Sequence, residues 1–438
     1  MLKVERQKSK RRNKSSISRK VSRKVSKRKS SRNVSKRKSS RKVSRKVSKR
    51  KTSYRRKIGS KRVTKRTYKR TYKRYVNMRM VGNDMLGNDV MRFIHFGCWN
   101  RNGCDKKNAS SDLSKVINLL DNYIENIENS EQPKVEFITI AGDNYYPDKV
   151  KIGGKKLKVI NENNMKSGFE CLPKQIPKYL LLGNHDLENI EDCKILTYQQ
   201  NEYAKIDANK TVFDDNTEDD IMHKILGNND IGYTVLIMID TTMYDKDYEE
   251  KGLEELLDCY RKIKGLENID TLENLRKKQE NRITNLINKI DTLENIKNVI
   301  VLGHHPIVSV KSKEKDDGKI KTVFSDFDLL KELYYNNIYS QLKIHTNINY
   351  YYLCADVHMY QRGSIIINDD LVINQYILGT GGAENDTLEN NFKTLYEKDG
   401  LTYTLIENKV NFGFLDCVIK NDGQMAFKFI EIDNEVKN

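Results

Sequence analysis

Five short blocks carry the residues that could do chemistry, and they follow one another in order along the chain. They read FIHFGCWN (93–100), ITIAGDNYYP (138–147), YLLLGNHD (179–186), VIVLGHHPIVS (299–309) and YYLCADVHMYQ (351–361). Each is an apolar run that ends in Gly or Ala and then in Asp, Asn, His, Cys or Tyr. Asp143 follows its run directly, with Tyr146 three residues later. A carboxylate there can bridge two cations, and a phenol beside it can bind one. The third block offers the carbonyl oxygen of Asn184, the imidazole of His185 and the carboxylate of Asp186, which could orient that imidazole. His304 is a candidate metal ligand, with His305 beside it pointing elsewhere. Asp356 and His358, two apart on an extended segment, share a face. A lone Gly-Asp or a lone His is more often structural. All five blocks in order are far more specific, and together they supply enough ligands for two metal ions.

Short apolar runs rich in β-branched and aromatic residues read as buried strands, and ligand-type residues just past them sit where open α/β sheets build their sites. Between the first two runs, 111–127 reads as a helix. Leu113, Val116, Leu119, Leu120, Ile124 and Ile127 fall at three- and four-residue steps, and Ser110 or Ser111 would be the N-cap. Strands are expected at 135–141, 179–182, 234–239, 299–302, 350–354 and 375–378. Near-continuous apolar strands alternating with helices predict an α/β sheet covered on both faces. The segment 248–298 is helical in pattern and highly charged, and IDTLEN occurs at 269–274 and again at 290–295. It fits either an antiparallel helical arm packed by heptad or tandem duplication within surface helices.

Charge divides the chain. Residues 1–75 hold 36 Lys and Arg and one acid, Glu5, leaving 44 basic and 59 acidic residues in 76–438. A polycationic tail therefore precedes a linker (76–90) and an acidic body (91–438). In the tail VSRKVSKRK occurs at 21–29 and 43–51, and VSKRKSSR at 25–32 and 34–41. With so little to bury it is expected to be disordered alone. Such a density of Lys and Arg suits nucleic acid or another polyanion bound through counterion release, with an anionic membrane surface as the competing partner. Tyr68, Tyr72 and Tyr75 could stack on bases. Seven cysteines without a CxxC pair, no apolar leader after Met1 and no run of membrane-spanning length predict a reducing, intracellular compartment.

The five blocks resemble the calcineurin-like metallophosphoesterase superfamily, and within it the purple acid phosphatase-like branch, over roughly 93–385. GTGGAEND (379–386) is similar to that branch's Gly-rich loop after the last metal motif. The resemblance implies an α/β (α+β) four-layer fold, two mixed β-sheets in a sandwich flanked by helices, holding two iron, zinc or manganese ions. One ion would be held by position 98, Asp143, Tyr146 and His358, the other by Asp143, Asn184, His304 and position 356. His185 would contact the phosphate and protonate the leaving group. The implied activity is hydrolysis of a phosphate ester by metal-activated hydroxide. Two positions depart from the pattern: Cys98 replaces an Asp, and Asp356 replaces a His. Both types still bind metals, the thiolate favouring zinc or iron and the carboxylate manganese, magnesium or iron. Cys98 also fits a small buried thiol, with Asn100 or Asp105 taking over as ligand. The competing functions are a nuclease and a degenerate scaffold that packages nucleic acid through the tail. The AT-rich composition and the basic repeats also resemble uncharacterised proteins of giant DNA viruses, which would place the protein in host cytoplasm, nucleus or virion.

Overall fold

The computed structural model describes residues 89–203, 210–211, 221–246, 248, 252–314, 320–389 and 392–432. The basic tail (1–75) and all but the last two residues of the linker (76–90) lie outside the described residues.

Two mixed sheets form the body. One has the order β18 (Met425–Glu431), β17 (Gly413–Lys420), β1 (Asp89–Phe96), β2 (Val135–Ile140), β5 (Lys178–Leu180), β6 (Lys210–Thr211). The other runs β15 (Leu395–Lys398), β16 (Leu401–Lys409), β13 (Tyr360–Ile367), β14 (Leu371–Leu378), β12 (Asn349–Cys354), β9 (Ile296–Leu302), β8 (Gly232–Met238), β7 (His223–Asn228). Two hairpins stand apart from the sheets: β3 (Asp148–Ile152) with β4 (Lys155–Val159), and β10 (Val308–Glu314) with β11 (Ile320–Asp326). In the first sheet β1, β2 and β5 are parallel neighbours; in the second, β8, β9, β12 and β14 are. Parallel neighbours bring their carboxyl ends to one edge, which is where the five blocks need them.

Alternation along each strand divides its side chains between two cores. Phe93, Phe137, Leu236, Leu302, Leu353 and Leu415 point into the space between the sheets, where Phe93 and Phe137 stack at 5.0 Å. Ile94, Phe96, Ile138, Ile140, Val235, Ile237, Val299 and Val301 belong to the second core, shared with the helices. Burial on both faces is why these strands read as unbroken apolar runs. The expected four-layer sandwich is therefore the observed one.

The helix expected at 111–127 is α1 (Asp112–Glu128). Ser111 caps it by accepting from the Ser114 N–H at 3.1 Å, and Leu113, Val116, Leu120, Ile124 and Ile127 are its buried stripe. Then come α2 (Glu162–Cys171), α3 (Lys194–Tyr203), α4 (Leu253–Tyr260) and α5 (Leu272–Ile290). The described part of 248–298 forms two helices, α4 and α5, each with a buried face. Helix α5 buries Leu272, Leu275, Ile283, Leu286, Ile287 and Ile290, and α4 buries Leu256, Leu257 and Tyr260. The two IDTLEN copies also take different structures. Thr271 of the first caps α5, whereas the second begins at the helix's last residue and leads into β9.

Four of the seven cysteines are paired: Cys104 with Cys171, tying the loop after β1 to α2, and Cys193 with Cys259, tying the start of α3 to α4. Cys98, Cys354 and Cys417 are free and buried. These pairings run against the expected reducing compartment. The partners lie 67 and 66 residues apart, so no local spacing announces them.

Candidate metal centre

Each block leaves its strand and turns sharply. Cys98, Asp143 and Asp356 have φ of 51°, 50° and 57°, the left-handed region that non-glycine residues occupy at a cost. Three such residues, one after each of three strands, are held there by their surroundings. Gly183 is required for a different reason: a Cβ there would run into the Asp143 carboxylate and the His304 ring.

The side chains converge. Donor atoms of Cys98, Asp143 and His304, all buried, lie within 4.8 Å of one another, and so do those of His304, His305 and Asp356. Cys98 Sγ is 4.0 Å from Asp143 Oδ2. The Tyr146 hydroxyl donates to Asp143 Oδ2 at 2.7 Å and lies 3.0 Å from His358 Nε2. The other Asp143 oxygen accepts the His185 backbone N–H at 3.0 Å and sits 3.4 Å from His304 Nε2. Asn184 Oδ1 is 3.1 Å from that same nitrogen.

His304 and His358 are each fixed from behind. His304 Nδ1 donates to the Ala141 carbonyl at 2.6 Å, and His358 Nδ1 to the Glu384 carbonyl at 2.5 Å. Each Nε2 is thereby left as the ligand atom facing the centre. The Gly-rich loop is what joins first block to last. Gly381 and Ala383 donate to the carbonyls of Gly97 and Cys98, and Asp386 accepts the His358 N–H at 3.0 Å. Lys311, on the stretch after GHHP, brings its ammonium 3.4 Å from Asp386.

The electrostatics are those of a cation site. Burial opposes ionisation of Asp143, but the His304 and His185 rings hold its carboxyl well below the usual range. Burial likewise works against charge on His304, yet Asp143 outweighs it and lifts that ring to about 9. The Cys98 thiol is pushed well up by burial and by Asp143, and the Tyr146 phenol by the same two causes. His305, buried and facing His304, falls to about 4.

Several residues differ from what the sequence suggested. Asp186 does not orient His185. Its oxygens accept from the Asn144 N–H at 2.8 Å, the Gly183 N–H at 2.8 Å, Gln199 Nε2 at 2.7 Å and Asn144 Nδ2 at 3.0 Å. It is a buried bracket between two blocks. Glu188 holds His185 instead, with Oε1 2.5 Å from Nδ1, and is itself held by Lys158 at 2.6 Å. One helical turn separates His185 from Glu188, a spacing visible in the sequence. His305 does not point away: it is part of a ligand cluster, with Nδ1 2.9 Å from Thr241 Oγ1. Thr241, past β8, also accepts the His304 and His305 backbone N–H groups, and no motif announces it. Asn100 and Asp105 do not replace Cys98. Asn100 donates to the Met165 carbonyl, and Asp105 closes a turn with Lys107 and Asn108.

The calcineurin-like phosphoesterase family model matches residues 91–339, more than half of the chain, and the protein belongs to that family. The match takes in the first four blocks and ends before β12, Asp356 and His358. No curated protein matches the sequence. Among solved structures the chain is similar to one titled "Structure of PhoD", at 10% identity and a TM-score of 0.41, covering 78% of this chain and 69% of that one.

Proposed function

We propose that the protein is a phosphoric ester hydrolase of the purple acid phosphatase-like kind, built on a dinuclear metal centre. The donor set fits such a pair. Thiol, carboxylate, phenol, amide and imidazole groups suit iron, zinc or manganese, and the pull of Asp143 on the His304 proton is the pull it would exert on a cation. Cys98, Asp143, Tyr146 and His358 would hold one ion, and Asp143, Asn184, His304 and Asp356 the other, with Asp143 shared. When bound, the two ions supply Lewis acidity and an acidified water.

The remaining work belongs to the chain. As ligands Tyr146 and Cys98 would give up their protons; without a cation their burial keeps both neutral. Asn184 orients an equatorial phosphate oxygen. His185 is partly exposed where Asp143 and His304 are buried, so its free Nε2 is the edge that meets substrate. Burial works against its charge, but Asp143 and Glu188 overcome this and hold its pKa above the usual histidine value. A proton kept at Nε2 is then available to the leaving oxygen. The tail (1–75) would bind nucleic acid or another polyanion by charge alone.

The observation that carries this reading is the convergence of Cys98, Asp143 and His304, from three separate strands, within 4.8 Å. The test is hydrolysis of an aryl phosphate by the full chain, stripped of metal and then supplied with iron, zinc or manganese, beside His304→Ala. The reading predicts metal-dependent turnover that falls at least ~100-fold in the variant. Turnover indifferent to metal and to His304 overturns it, and no turnover with any of the three metals favours the scaffold.

A further inference from the structure

The hairpin β3–β4 leaves the acidic body directly after the Asp143 block. It holds five lysines, Lys149, Lys151, Lys155, Lys156 and Lys158, against a single carboxylate, Asp148. Every residue of β4 is exposed, as are Lys149 and Lys151. The register pairs Lys149 with Lys158 and Lys151 with Lys156. Directly opposed residues of an antiparallel pair share a face. One face of the hairpin is therefore four lysines in a square, and Val150, Leu157, Ile152 and Val159 lie on the other.

Opposed like charges destabilise a hairpin, so this face is not explained by folding. Among the described residues only Lys158 of the five forms an ion pair, and that pair says where the face looks. Its Nζ is 2.6 Å from Glu188, whose carboxylate holds His185. The lysine square begins at the mouth of the candidate centre and runs outward, with successive lysines on a strand about 6.6 Å apart.

We infer that this face is a track for the phosphodiester backbone of a single-stranded nucleic acid whose reacting phosphate lies at the candidate centre. The inference rests on the proposed hydrolase reading, and it names the substrate class. Charge complementarity selects a chain of phosphates, and a site for phosphate esters selects nucleic acid over polyphosphate, whose links are anhydrides. The buried placement of Cys98, Asp143 and His304 favours a thin single strand over a duplex.

The test uses the full chain and Lys149→Gln/Lys151→Gln/Lys156→Gln, which leaves Lys158 and its contact with Glu188 in place. Removing opposed charges does not weaken the hairpin, so the variant stays folded. A short single-stranded oligonucleotide is the substrate, and an aryl phosphate, too small to reach the hairpin, is the control. The expected result is a KM for the oligonucleotide raised roughly 10-fold or more. Its dependence on log salt should be shallower by about 2, at about 0.7 per lost phosphate contact, with aryl phosphate turnover retained. The tail contributes equally to both proteins and cancels in the difference. An unchanged KM and slope overturns the inference. So does a parallel loss with the aryl phosphate, which would show the lysines acting through Glu188. Amine-labelling of the three lysines with and without oligonucleotide gives a readout free of catalysis. If neither ester is hydrolysed, the hydrolase reading fails, and protection at 149, 151 and 156 alone decides the hairpin. Protection by inorganic polyphosphate but not by oligonucleotide refutes nucleic acid as the occupant.

Discussion

Asp186 and Glu188 lie two residues apart and both are acidic, yet their surroundings assign them opposite work. Asp186 is fully buried and accepts four hydrogen bonds, two of them from the backbone N–H groups of Asn144 and Gly183. Asp186→Ala strands those two donors away from water. At about 1–3 kcal/mol for each, the loss is about 2–6 kcal/mol of stability, a large fraction of what a domain has. Glu188 is partly exposed at the rim and touches two side chains, His185 and Lys158. Glu188→Gln keeps its shape and removes the negative charge that orients His185 and, with Asp143, favours its protonated form. The expected cost is about 10- to 100-fold in turnover, the usual effect of losing a group behind a functional histidine, with little change in stability. Urea unfolding and aryl phosphate turnover, measured on both variants, separate the two roles. A stable but inactive Asp186→Ala beside a fully active Glu188→Gln would refute the assignment and restore Asp186 as the partner of His185.

The other predictions concern the frame around the site. Thiol titration of the denatured, unreduced protein should find three groups, Cys98, Cys354 and Cys417, and seven after reduction; seven without reductant would contradict the two pairings. Arg92 Nε lies 3.0 Å from Asp416 Oδ1 with both side chains buried, so Asp416→Ala should cost about 3–5 kcal/mol in unfolding experiments. Arg92→Met with Asp416→Leu should recover most of that loss, because the apolar pair leaves no charge unpaired. Burial lifts Asp240 to about 6, well above its unfolded value near 4. The folded state thus holds that proton more tightly, and its stabilising contribution, full below pH ~4, is lost as pH rises through ~6, by up to about 3 kcal/mol. Subtracting the stability–pH curve of Asp240→Asn from that of the wild type should isolate that fall; a flat difference would contradict it.

The parts of the fold that the sequence disclosed are those with local signatures. Apolar runs buried on both faces announced β1, β2, β5, β8, β9 and β12, and the stripe and N-cap of α1 placed that helix to within a residue. The turns after the runs could be located because Gly, Asp, Asn and His cluster there, but not their left-handed geometry at Cys98, Asp143 and Asp356. What stayed hidden depends on distant partners. Thr241 beneath His304, Gln199 beneath Asp186 and the cysteine pairs have no spacing to betray them. The charged helix α5 left two readings open for the opposite reason: its repeat is conspicuous, whereas the buried positions that dock it on the body are ordinary. The lysine square was hidden by register, since only the pairing of β3 with β4 puts four of the lysines on one face.

Metal content is the most direct test of the whole account. The full chain, loaded with zinc, iron or manganese and freed of excess, should retain about two ions per molecule by elemental analysis. Asp143→Ala should retain almost none, because the proposed centre shares that carboxylate between both ions. A wild-type chain that keeps no metal, or an Asp143→Ala chain that keeps as much as the wild type, would contradict the dinuclear centre.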